Sequence, residues 1–185
     1  MDMHKTFYQF FYALIAILIL LSQILGTLAG FPHGASLFGI ALILLYLASR
    51  RWDAAEIRFL LVTFVVGGAY EGLAVHQEWI LYQGTSGYHA LPWWMLVSWM
   101  SLAILLKGLL RGLTEHPFRT LLLGLCVGPL FAITGEQMSL LTIPHPESDL
   151  KLIGLGWGCC FGLLAILAKE NDDVTKSRQE KQGSS

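Results

Sequence analysis

The stretch FYQFFYALIAILILLSQILGTLA, residues 7–29, contains no Lys, Arg, Asp or Glu and closes at Gly30-Phe31-Pro32. At 1.5 Å per residue, about 20 apolar residues in a helix cross a hydrocarbon layer roughly 30 Å thick. The run is continuous and does not alternate, so it has the pattern of a spanning helix and not of a barrel strand. Its apolar core is about twice the 7–15 residues of a secretory signal. Thr27-Leu28-Ala29 is also a poor cleavage site. The segment is therefore expected to be a retained span.

Five further apolar runs follow, over residues 34–49, 59–79, 92–110, 118–143 and 150–168. Pro92, Pro117 and Pro144 stand at their ends, where a missing backbone donor costs least. Pro129 lies inside the fifth run and predicts a kink. The expected fold is all-α: a polytopic membrane protein of six transmembrane helices over residues 1–168, followed by a polar, disordered tail over 169–185.

Composition agrees. Of 185 residues, 55% are hydrophobic and only 14% charged, against about 25% charged in soluble domains. Too few charges remain to cover a water-soluble fold, and too many apolar groups are present for a disordered chain. The net charge of −1 excludes a nucleic-acid module, which needs a basic face. With the N-terminus placed in the cytoplasm, every Lys and Arg except Lys151 falls on or near the cytoplasmic side. The outer connections at 30–33, 82–91 and 144–149 carry none. This asymmetry is the positive-inside pattern and puts both termini in the cytoplasm. Cys126, Cys159 and Cys160 fall within spans, with no C-x-x-C pair, and read as packing residues. No internal repeat is visible.

Several features in order resemble a family of small proteobacterial inner-membrane proteins carrying a domain of unknown function. They are the aromatic first span from Phe10 to Gln23, the junction Arg50-Arg51 with Glu56-Ile57-Arg58, and Glu71 deep in the third span. Leu91-Pro92-Trp93-Trp94 opens the fourth, and Gly128-Pro129 with Gly135 marks the fifth. Where the family carries a polar Asn-His-Ser-like stretch in the fourth span, this chain has Ala103-Ile104-Leu105-Leu106-Lys107. The resemblance implies a multi-pass fold in the bacterial inner membrane and an association with lipid modification.

Ionisable groups at bilayer depth cost about 2.5–3.5 kcal/mol or more, so each needs a reason. Glu71 and Glu136 lie roughly 18 Å and roughly 25 Å from the cytoplasmic edge at the helical rise. Gln23 reaches a similar level. A carboxyl away from water favours its neutral form and can donate a proton. Glu71 and Glu136 are thus the candidate proton-handling or catalytic pair. A protonated Glu bonded to a backbone carbonyl, Tyr70 or Thr134 is the structural alternative. Helical spacing adds Glu78 and Tyr82 to a stripe with Glu71. His76, off that stripe, completes the candidate pocket with Gln23 and Tyr70.

No ligand motif unites His33, His89 and His145, so neither metal nor cofactor is expected. Lys107 and Arg111, four residues apart, could hold a lipid phosphate or simply snorkel to the interface. The polar segment Gln83 to His89 reads as a loop before an aromatic belt, or as a lid. Glycine faces (Gly108/Gly112, Gly124/Gly128 and Gly154/Gly158/Gly162) permit close packing within one chain or between two copies. Three functions stay open: an enzyme or accessory factor in lipid or isoprenoid modification, a small oligomeric proton-coupled transporter or channel, and a structural subunit of a membrane complex. Membrane lipids are the expected partners.

Overall fold

The computed structural model describes the backbone of residues 3–83, 91–108 and 116–183, with side chains for residues 8–83, 91–108 and 116–169. In chain order the elements are α1 (Met3–Leu28), α2 (Pro32–Ser49), α3 (Ala54–His76), β1 (Leu81–Tyr82), α4 (Trp93–Lys107), α5 (Pro117–Gln137), β2 (Leu141–Thr142) and α6 (Pro146–Gly183). The architecture is helical apart from the two short strands. α1, α2, α3, α5 and α6 are each long and apolar enough to cross a bilayer, as in a multi-pass membrane protein. The fourth expected span, 92–110, corresponds to α4. This helix is apolar but has 15 residues, about 22 Å of rise.

α4 is also the most enclosed helix. α1, α2 and α3 all pack against it, and its buried residues include Trp94, Met95, Ser98, Trp99, Ser101 and Leu106. A helix apolar on every side belongs inside. Gly67 lets α3 approach α4 closely, since a Cβ there would lie 2.5 Å from the Trp99 ring.

The helix ends explain where the sequence boundaries shift. α3 starts at Ala54, ahead of the expected residue 59, because the Asp53 carboxylate accepts the Ala55 N–H at 3.0 Å and caps the first turn. It stops at His76. Glu78 adopts φ 58°, and the Trp79 N–H returns to the Ala74 carbonyl at 2.9 Å, a Schellman-type closure. α5 closes the same way through Ser139 (φ 56°) and Leu140 N–H to Gly135 O at 2.8 Å. The apolar run 140–143 therefore leaves the helix, and hydropathy does not register the change.

Both closures deliver strands. β1 and β2 pair antiparallel, with Leu81 opposite Thr142 and Tyr82 opposite Leu141. The pair joins the α3–α4 connection to the α5–α6 connection. The opposite end of the bundle gathers Arg50, Arg51, Arg58 and Lys107, at the end of α2, the start of α3 and the end of α4.

α5 packs mainly on α6 and continues as helix through Pro129. Gly124 and Gly128 seat against Trp157, while Gly154 and Gly158 face Leu125 and Pro129. These glycine faces meet each other within one chain. α6 extends to Gly183, so the tail expected to be disordered from residue 169 is helical over most of its length. Its Lys, Glu, Gln and Arg residues favour helix, and no Gly or Pro interrupts 169–182.

Candidate functional site

Glu71 is fully buried at the meeting point of three elements. Its Oε2 accepts the Tyr82 hydroxyl from β1 at 2.6 Å, and its Oε1 accepts Trp99 Nε1 from α4 at 2.9 Å. An aromatic shell closes around the carboxyl. Tyr82 packs edge-on to Trp94 at 5.5 Å, Tyr70 edge-on to Trp99 at 6.1 Å, and Trp99 meets Trp157 at 4.9 Å. Trp157 Nε1 is buried with no hydrogen-bond partner among the described residues.

The stripe expected from helical spacing is a different object. α3 ends at His76, before Glu78, so Glu78 and Tyr82 do not continue its face. Glu78 and His76 are exposed. Tyr82 does meet Glu71, but through a reversal of the chain and not through a helical repeat. Tyr70 points to α6, where its hydroxyl donates to the Ile153 carbonyl at 3.4 Å.

Glu136 and Gln23 do not join Glu71. Glu136 is exposed at the end of α5, where Oε1 accepts the Ile143 N–H at 3.0 Å and ties the chain just past β2 back to the helix end. Gln23 is fully buried between α1 and α2. It donates to the Ala35 carbonyl at 2.8 Å and accepts from Ser36 at 3.4 Å. The expected shared polar interior is thus three separate arrangements, each satisfied locally. Among the described residues, no three His, Cys, Asp or Glu side chains gather as metal ligands. His33 and His145 are exposed. His89 and Arg111 lie outside the described residues, as does the expected lid over 84–89.

A cavity among the described residues lies at the basic end instead. About 450 Å³ is lined by Tyr8, Gln9 and Tyr12 of α1, Tyr46 and Ser49 of α2, Arg50, Glu56 of α3, and the α4 end at Ile104, Lys107 and Gly108. Glu56 is its anchor, 2% exposed. One carboxylate oxygen takes Arg50 Nη2 at 2.9 Å and Lys107 Nζ at 3.0 Å, and the other accepts the Tyr46 hydroxyl at 2.9 Å. Arg50 also lies over the Tyr12 ring, 5.7 Å from its centre, and Lys107 over Phe59 at 5.4 Å. Burial alone would lower the Arg50 pKa. The adjacent Glu56 carboxylate outweighs it and raises the guanidinium above its ordinary value.

Lys107, a phosphate candidate in the sequence, lines this cavity, whereas Glu56 entered the sequence reading only as part of a junction. The overlooked signal is Asp53-Ala54-Ala55-Glu56, the D-x-x-E spacing of a helix start. That spacing begins α3 at residue 54 and turns Glu56 inward in its first turn.

Five apolar helices of bilayer length, around an enclosed aromatic core and with a charged cavity at one end, are the architecture of a multi-pass membrane protein. The chain belongs to a family of proteins of unknown function, DUF2878, whose profile matches residues 11–163. No curated protein and no solved structure matches it.

Proposed function

We propose that this is an inner-membrane protein, with both termini in the cytoplasm, that handles a membrane amphiphile as an enzyme or accessory factor in lipid or isoprenoid modification. The observation that carries this reading is the cavity at the basic end. Lipid headgroups lie at the level where spans end, and a headgroup site needs charge beside amphipathic aromatic surface. Arg50, Lys107 and Glu56 supply the charge, and Tyr8, Tyr12 and Tyr46 the surface. The concentration of Lys and Arg at this end supports the cytoplasmic orientation.

The carboxyl at Glu71 has a different part in this proposal. Enclosed by Tyr82, Trp99 and the rings around them, it clamps α3, β1 and α4 and meets no substrate. Glu136 secures a turn. The catalytic-pair and the proton-coupled transporter readings both needed these two carboxyls to share an interior, and the geometry lends neither support.

The test is lipid retention. The full-length protein, purified in a neutral detergent and examined by native mass spectrometry, is expected to keep one lipid per chain. Ser49→Phe, which fills the cavity from its rim, is expected to release it. Absence of a retained lipid, or retention unaffected by Ser49→Phe in a folded protein, overturns the reading.

A further inference from the structure

α2 ends at Ser49 and α3 begins at Ala54. Both helices are long and apolar enough to cross a bilayer, so residues 50–53 between them lie at a membrane boundary. Arg51 and Trp52 follow one another in the left-handed region, at φ 53° and φ 54°. Residues other than glycine adopt that conformation uncommonly. Their N–H groups close on the end of α2, Arg51 on the Ala48 carbonyl at 3.0 Å and Trp52 on the Leu47 carbonyl at 2.9 Å. The reversal leaves the Trp52 side chain 54% exposed and its neighbour Arg51 exposed as well.

Arg58, in the second turn of α3, lies near the same boundary. It is exposed and shares one face of the helix with Leu61 and Val65, three and seven residues on. Both are exposed, at 57% and 64%. An exposed apolar stripe on a spanning helix faces acyl chains, and a guanidinium at its end extends to the headgroup layer. The carboxylates of this corner are engaged elsewhere. Asp53 caps the Ala55 N–H at 3.0 Å, and Glu56 holds Arg50 and Lys107. Among the described residues, neither Arg51 nor Arg58 pairs with a carboxylate.

We infer that the α2–α3 corner is a docking edge for the phosphate of a membrane phospholipid, with Trp52 set in the headgroup layer and Arg51 and Arg58 donating to phosphate oxygens. Tryptophan favours that layer, and a guanidinium matches phosphate in both geometry and charge. Glycine would meet the left-handed turn without strain. The turn itself therefore has no need of a tryptophan, whereas a surrounding leaflet gives the ring a place. A choline headgroup carries a cation that competes for its own phosphate, so the edge favours a glycerol headgroup, which carries none. Arg51, Trp52 and Arg58 do not line the cavity, and this inference stands whatever the cavity holds.

The experiment places the full-length protein in phosphatidylcholine vesicles and follows tryptophan emission. The Trp52 component is the difference between wild type and Trp52→Phe, and bromine on a lipid quenches it on contact. Lipids brominated beside the glycerol are expected to quench this component about twice as strongly as lipids brominated at the chain end, since interfacial rings sit high in the bilayer. At equal dilution into the vesicles, brominated phosphatidylglycerol is expected to quench it about fivefold more than brominated phosphatidylcholine. In Arg51→Gln/Arg58→Gln the two headgroups should quench alike. Should the double variant not fold, Arg58→Gln alone is expected to lower the preference part of the way. Quenching by acrylamide in the water but by neither brominated lipid marks a solvated turn and overturns the docking edge. Equal quenching by the two headgroups in wild type, or a preference that persists without the arginines, overturns the phosphate assignment.

Discussion

Tyr82 reaches back across eleven residues to set its hydroxyl 2.6 Å from Glu71 Oε2. A carboxylate with no exposed surface is tolerable only when its oxygens are matched, and Tyr82 and Trp99 match one each. Tyr82→Phe keeps the ring against Trp94 and removes one match. It is expected to destabilise the protein by about 1–3 kcal/mol, seen as a lower melting temperature in detergent with helical content unchanged.

Alkaline pH provides a second probe of the same contact. Tyr82 stands beyond the end of α3, and burial first, then the neighbouring Glu71 carboxyl, raises its pKa well above the ordinary phenol value. The folded phenol keeps its proton while an unfolded one releases it near pH 10. Above about pH 10 the unfolded state therefore binds fewer protons, and stability falls as pH rises. Melting curves at pH 8 and pH 11 should show a smaller alkaline loss in Tyr82→Phe than in wild type.

Glu136 tests the separation of the two carboxyls. Its oxygen accepts one backbone N–H at an exposed turn, so Glu136→Ala is expected to cost about 0.5–1.5 kcal/mol. Glu136→Gln, which retains an acceptor, should cost less. Neither substitution should alter lipid retention, whereas a proton-handling role would make the Gln variant the more damaging to function.

At the basic end the two cations on Glu56 should not be equivalent. The Lys107 side chain is 13% exposed and that of Arg50 39%. Water screens Arg50 more, and its loss in Arg50→Gln is expected to cost about 1 kcal/mol. Lys107→Gln removes a more enclosed partner from a buried carboxylate and should approach about 3 kcal/mol. Chemical denaturation of both variants in one detergent checks the order.

Gly67 lets α3 lie close against Trp99 of α4. Gly67→Ala would press a methyl into the Trp99 ring, and overpacking of this kind costs about 1–3 kcal/mol. A change in tryptophan emission together with a lower melting temperature is the expected signature.

Apolarity made the spans legible in the sequence, because crossing a bilayer imposes length and composition together. α1, α2, α3, α5 and α6 were all located by that criterion. It carries no information on where an apolar chain stops being helical. The runs ending at Trp79 and Ile143 therefore hid two left-handed residues, Glu78 and Ser139, and the strands after them. The site was less legible for a related reason. Glu71 announces itself by depth, but its partner Tyr82 arrives through a turn that helical spacing does not describe. Glu136 also falls within an apolar run by count, and not in the same surroundings. Glu56 sits among ordinary interfacial charges, and only its three-dimensional neighbours distinguish it.

The strand pair between the two connections also has a consequence for biogenesis. Fifty-nine residues separate Gln83 from its partner Thr142, so β1 emerges from the ribosome long before β2 exists. Tyr82 can settle on Glu71 as soon as α3 is inserted, yet the edge beside it stays open until the last hairpin is synthesised. The clasp is the closing act of assembly, and a chain stalled after α4 would present that bare edge to the quality-control machinery.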